Sequence, residues 1–144
     1  MSEPLPGTFL AQLPHARELG IELISFDRAA GRCAFRQPWR AELVGDPERQ
    51  ILHGGVITSL LDTLGAAAVI ARGVKAQATL DLRVDYLRPA AAQRDLIAEA
   101  ECYRVTRHVA FVRGLCHQGD VERPVANLTA TFVVADRVVP VGTP

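Results

Sequence analysis

Lysine is almost absent: of 16 basic residues only Lys75 is one, and they are matched by 16 acidic residues. With no excess of either sign, the chain lacks the broad basic field of a general nucleic-acid binder or a membrane-surface protein. Cysteine is scarce too. Cys33, Cys102 and Cys116 are odd in number and have no C-x-x-C spacing, so they read as reduced thiols packed in a cytoplasmic protein. No apolar run reaches the roughly 18 to 20 residues of a membrane span. The opening Met1-Ser2-Glu3-Pro4 lacks the basic-then-apolar layout of a signal peptide. His15, His108 and His117 stand at no metal-ligand spacing from one another or from Cys116, so no metal is expected. A G-x-S-x-G elbow, a G-x-G-x-x-G turn, a phosphate-cradling loop, a repeat and a Gly/Ser linker are all missing. What remains is 144 residues, 49% hydrophobic and 22% charged, which suits one domain over 1–144 with a core that needs no disulfide or metal.

Local patterning divides that domain into a lead-in segment (1–19) and a core (20–136). Phe9, Leu10 and Leu13 suggest a brief helix ending near Pro14. From Gly20 to Phe35 two apolar runs flank Ala30-Gly31-Arg32, the pattern of a hairpin. Residues 38–52, with Pro38, Gly45 and Pro47, read as a loop. After His53 the period changes: Val56, Ile57, Leu60, Leu61, Leu64 and Ala68 recur at helical spacing, and Arg72-Gly73 supplies the stop. So apolar a helix should be mostly buried. Residues 79–86 alternate strictly, Leu80, Leu82, Val84 and Tyr86 against Thr79, Asp81, Arg83 and Asp85, the period of a strand. Segments 95–106, 108–118 and 124–135 follow as further strands, joined by short turns. A hairpin, one buried helix and four consecutive antiparallel strands make an α+β fold. Its open sheet face and edges call for a second copy of the chain.

One stretch carries the chemistry: His53-Gly54-Gly55, six residues, then Asp62. Two glycines at a helix start leave unpaired N–H groups pointing outward, suited to a carbonyl oxygen gaining charge; alternatively they serve only a tight entry turn. Gly55, Ser59, Asp62, Ala66 and Val69 share a helix face, so small residues let something approach the aspartate closely. Asp62 therefore suits a general base or nucleophile, or else a structural aspartate paired with an arginine. His53 either positions a substrate or orients the glycine turn.

This pattern resembles the hotdog-fold acyl-CoA thioesterases, in particular the phenylacetyl-CoA thioesterase-like branch. Thr79 to Ala90, with its Tyr86-Leu87-Arg88-Pro89-Ala90 ending, resembles the family's strand that follows the helix. The resemblance covers roughly residues 20 to 135. It implies a central helix wrapped by an antiparallel sheet in a homodimer; a homotetramer is the expected further assembly, the sequence leaving open how two dimers would pair. It also implies hydrolysis of an acyl-CoA to free acid and CoA, with no cofactor beyond the CoA of the substrate. Carried over by position, Asp62 is the base or nucleophile and Gly55 the main oxyanion donor. Gly54 shapes the turn, His53 holds the thioester end, and Thr79 supplies a hydroxyl from across the dimer interface. Arg88, Arg107 and His108 meet the nucleotide and phosphates of CoA. Where relatives carry a polar residue before His-Gly-Gly this chain has Pro47, leaving Gln50 as the nearest polar contact. A hotdog protein that binds acyl-CoA without turnover, and a hydroxyacyl thioester dehydratase, are the alternatives.

Overall fold

A computed structural model describes residues 6–135, so residues 1–5 of the lead-in and residue 136 of the core lie outside it. Two helices, α1 (Pro6–Gln12) and α2 (Pro14–Leu19), precede the hairpin of β1 (Glu22–Asp27) and β2 (Arg32–Gln37). The brief helix expected to end near Pro14 is α1, which stops at Gln12, and Pro14 opens a second helix that the sequence does not announce. The proline sits in the first turn, where its missing N–H is not needed and its fixed φ is already helical. The segment expected as a plain loop holds a 3₁₀ turn (Ala41–Leu43) and a small ribbon, β3 (Val44–Asp46) with β4 (Ile51–Leu52).

Helix α3 (Gly54–Ala71) has ten buried residues, among them Leu60, Leu61 and Leu64 at complete burial. Each such leucine contributes about 2 kcal/mol by leaving water. Its 18 residues and mean hydropathy of 1.6 do reach the length that the sequence reading set for a membrane span. Burial beneath a sheet accounts for that apolarity. Gly65 lets the helix lie close: a β-carbon there would come within 2.8 Å of the Phe132 ring.

The sheet contains β5 (Ala76–Tyr86), β6 (Leu96–Val105), β7 (Val109–His117) and β8 (Ala126–Val134) beside the hairpin, in the order β1-β2-β6-β7-β8-β5, antiparallel throughout. The chain leaves β2, crosses the sheet as α3 and returns at the far edge, so β5 and β6 are sequence neighbours separated in space by β8 and β7. One helix wrapped by an antiparallel sheet is the hotdog arrangement. Inward positions alternate along the strands, as in Leu96, Ala98, Ala100 and Cys102 of β6, all buried. Strand β5 is an edge 11 residues long, paired among the described residues only with β8, and its Leu80 is 60% exposed.

Candidate active site

The start of α3 is held from three sides. The His53 N–H donates to the Leu43 carbonyl at 2.9 Å, and Leu52 donates to Ala90 in the β5–β6 crossover at 2.9 Å. Gly45 makes the first contact possible, because a β-carbon there would sit 2.7 Å from the His53 Cα. His53 is the N-cap: its Nδ1 accepts the Gly55 N–H at 2.8 Å. Nδ1 must therefore be unprotonated, with the ring proton on Nε2.

This bond distinguishes the two glycines. Gly55 N–H, expected as the outward oxyanion donor, is already taken by the imidazole. Gly54 N–H meets no acceptor among the described residues and points out of the helix along its axis, with the positive end of the dipole behind it. No sequence signal separates two adjacent glycines. The histidine's ability to cap decides between them.

Asp62 lies two turns further along, half-buried on the open face of α3 with Ser59 and Ala66. Its Oδ1 accepts the Thr79 hydroxyl of its own chain at 2.8 Å, and no arginine pairs with it among the described residues. Thr79 was expected to act across an interface. It meets Asp62 within one chain because β5 runs back along α3 with Thr79 on the sheet's inner side. The pairing leaves Asp62 Oδ2 open.

The remaining expected residues separate into two groups. Arg88 borders a cleft of about 500 Å³ at the helix start, with Leu52, Gly54, Ile57 and Tyr86. Gln50 is exposed near this end, at φ 53, and its side chain donates to the Pro47 carbonyl at 2.8 Å, so it is turned onto its own loop. Arg107 and His108 lie at the opposite end. Their turn joins β6 to β7, and the His108 carbonyl accepts from Val134, which pairs with Ala76 just after the C-terminus of α3. One chain alone does not bring them to the cleft. Tyr86, given no role of its own by the sequence beyond opening the Tyr86-to-Ala90 ending, lies at the cleft and donates to the Gly54 carbonyl at 2.9 Å.

The cysteines offer no nucleophile. Burial pushes the Cys33 and Cys116 thiols up to about 12 and raises that of Cys102 as well, so none provides a thiolate at neutral pH. Among the described residues no three His, Cys, Asp or Glu side chains gather as metal ligands would.

Comparison with known proteins agrees with the fold. The family model of the thioesterase superfamily matches residues 49–125, which spans the glycine turn, α3 and the Asp62–Thr79 pair. The medium/long-chain acyl-CoA thioesterase YigI of Salmonella typhimurium is 35% identical, the match covering 88% of each chain. A crystal structure of a Pseudomonas aeruginosa protein is 34% identical, with a TM-score of 0.77 over 89% of this chain and 95% of that one. The phenylacetic acid degradation protein PaaI of Thermus thermophilus, solved as a mutant, is 27% identical, with a TM-score of 0.72 over 84% and 98%. The chain belongs to the thioesterase superfamily.

Proposed function

We propose that this protein hydrolyses acyl-CoA thioesters in a site built by two copies of the chain. The observation that carries the reading is the separation of its two working groups. Gly54 and Asp62 are eight residues apart on one helix, about 12 Å along its axis. The Gly54 N–H points away from Asp62, so an oxygen bound there lies farther still from the carboxylate. Attack on a carbonyl needs the nucleophile about 3 to 3.5 Å from carbon, whose oxygen is only about 1.2 Å beyond. An interposed water adds about 3 Å of hydrogen bond, which still falls well short. A single thioester therefore cannot use both groups of one chain, and Gly54 works with the partner subunit's Asp62.

The exposed edge β5 supports that assembly. Antiparallel pairing of β5 with its copy satisfies a free edge and turns the partner end for end. The turn at Arg107 and His108, remote in its own chain, then moves toward the cleft and Arg88 of the other, where cations suit the phosphates of CoA.

In the reaction, Asp62 Oδ2 takes a proton from water as the water oxygen bonds to the thioester carbon. The carbonyl electron pair moves to oxygen, held by the Gly54 N–H. Collapse re-forms the carbonyl, breaks the C–S bond and releases CoA, whose sulfur recovers the proton from Asp62. Thr79 holds the other carboxylate oxygen and so fixes which oxygen acts. His53 caps the neighbouring N–H and keeps the glycine turn in shape.

The cleft's apolar wall, with Leu52, Ile57, Leu87 and Ala90, supports an apolar acyl group of medium or long chain. Thiol release from short, medium and long saturated acyl-CoAs and from phenylacetyl-CoA tests this. Hydrolysis should rise with chain length beyond the short esters. Thermal stabilisation by the same ligands with no thiol release would instead identify a binding protein.

A further inference from the structure

We propose that Tyr86 is a positioning residue for this site, acting through Gly54; the inference rests on the reading of Gly54 N–H as oxyanion donor. The Gly54 N–H shares a peptide plane with the His53 carbonyl, which accepts from Val56 N–H at 3.0 Å; the glycine torsions that join this plane to the next have no side chain to restrict them, so the next plane has to be held from outside. The amide after Gly54 is held by the His53 imidazole. The Gly54 carbonyl is held by Tyr86, whose hydroxyl donates to it at 2.9 Å. That hydroxyl also contacts the Thr58 hydroxyl. A phenol has one proton, and it goes to Gly54, so Thr58 is the donor to Tyr86. Thr58 is only 3.4 Å from the Gly54 oxygen itself, a longer alternative. The result is a relay, Thr58 O–H to Tyr86 O–H to Gly54 C=O, in which each bond polarises the next.

The ring completes the arrangement. It stands 3.4 Å from where a Gly54 β-carbon would lie, and Tyr86 is 53% exposed at the cleft beside Ile57 and Arg88. A thioester reaching Gly54 passes along this ring. Its hydroxyl faces inward and is consumed by the carbonyl, so it serves geometry rather than proton transfer. The tie also joins the end of β5 to the first turn of α3, while Thr79 joins the same strand to Asp62. One strand thus sets the placement of both working groups.

The test is Tyr86→Phe, which keeps the ring and removes the tie, with Thr58→Val breaking the relay one link earlier. Small misplacement of a reacting group costs up to about 100-fold, and we expect about a ten-fold fall in kcat for Tyr86→Phe with KM within about two-fold of wild type. The second readout is the infrared carbonyl stretch of acyl-CoA bound to Asp62→Asn, with and without Tyr86→Phe. The band should lie below its position in free acyl-CoA when Tyr86 is present, and move back toward it when the hydroxyl is removed. Unchanged kcat, or a band equally lowered with and without the hydroxyl, overturns the role of Tyr86 alone. A band at the free position even with Tyr86 intact overturns the oxyanion reading and this inference together.

Discussion

Asp62→Asn should fold as the native chain does and lose about 1000-fold in kcat, the contribution expected of a well-placed general base. The amide keeps the shape of the carboxylate and still offers an oxygen to the Thr79 hydroxyl, so the bond at 2.8 Å survives. It cannot accept a proton from water at neutral pH. Asp62 is half-buried and has no ion pair among the described residues, so neutralising it strands no partner charge. Stability should change by less than about 1 kcal/mol, as for substitutions outside packed cores and buried networks. Thiol release and thermal melting on the same preparation check both halves. A large loss of stability would instead mark Asp62 as a structural residue.

The second large effect concerns a backbone atom. Gly54→Pro deletes the one N–H proposed to hold the oxyanion and leaves the helix start intact. Proline is favoured at the first helical position, and His53 before it, at φ −63 and ψ 132, already has the extended backbone that proline requires of its predecessor. The new ring carbon next to Cα meets Tyr86 at 3.4 Å, an ordinary contact. The expected result is a fall in kcat of about 100-fold or more, the effect of removing one oxyanion donor. Gly54→Ala places the same β-carbon but retains the N–H, and should keep kcat within about three-fold of wild type by that reasoning. If alanine and proline lower kcat equally, steric fit rather than the N–H is responsible.

The elements with strong local signals were legible in the sequence. The helical period after His53 reflects burial on one face; in β5 the alternation holds only at Leu82 and Val84, because a register shift between Thr79 and Asp81 leaves Leu80 exposed and turns Thr79 inward. The pairing of β5 with β8 was not legible, because strand order depends on contacts between residues some fifty positions apart that leave no local mark. The lead-in helix ends before Pro14, as its proline suggests, but the second helix that Pro14 opens is too short to leave a periodic signal of its own. At the site, residue types pointed to Asp62 and the glycine turn, but direction did not follow from type. Which glycine N–H stays open depends on where the His53 ring settles. Whether Thr79 serves its own chain depends on how β5 runs against α3. Tyr86 stands out by its alternation and by opening the Tyr86-to-Ala90 ending, but neither tells of its bond to Gly54, which arises only when the end of β5 meets the first turn of the helix.

The most direct test of the proposed two-chain site combines the two variants expected to be inactive. Asp62→Asn and Gly54→Pro chains, tagged separately and co-expressed, form mixed dimers in which one site holds both lesions and the other holds neither. With random pairing, half the dimers are mixed and each has one intact site of two, so the preparation should recover about a quarter of wild-type activity. Purified mixed dimers should recover about half. If both working groups belonged to a single chain, every site would carry one lesion, and mixed dimers as inactive as either parent would contradict the account.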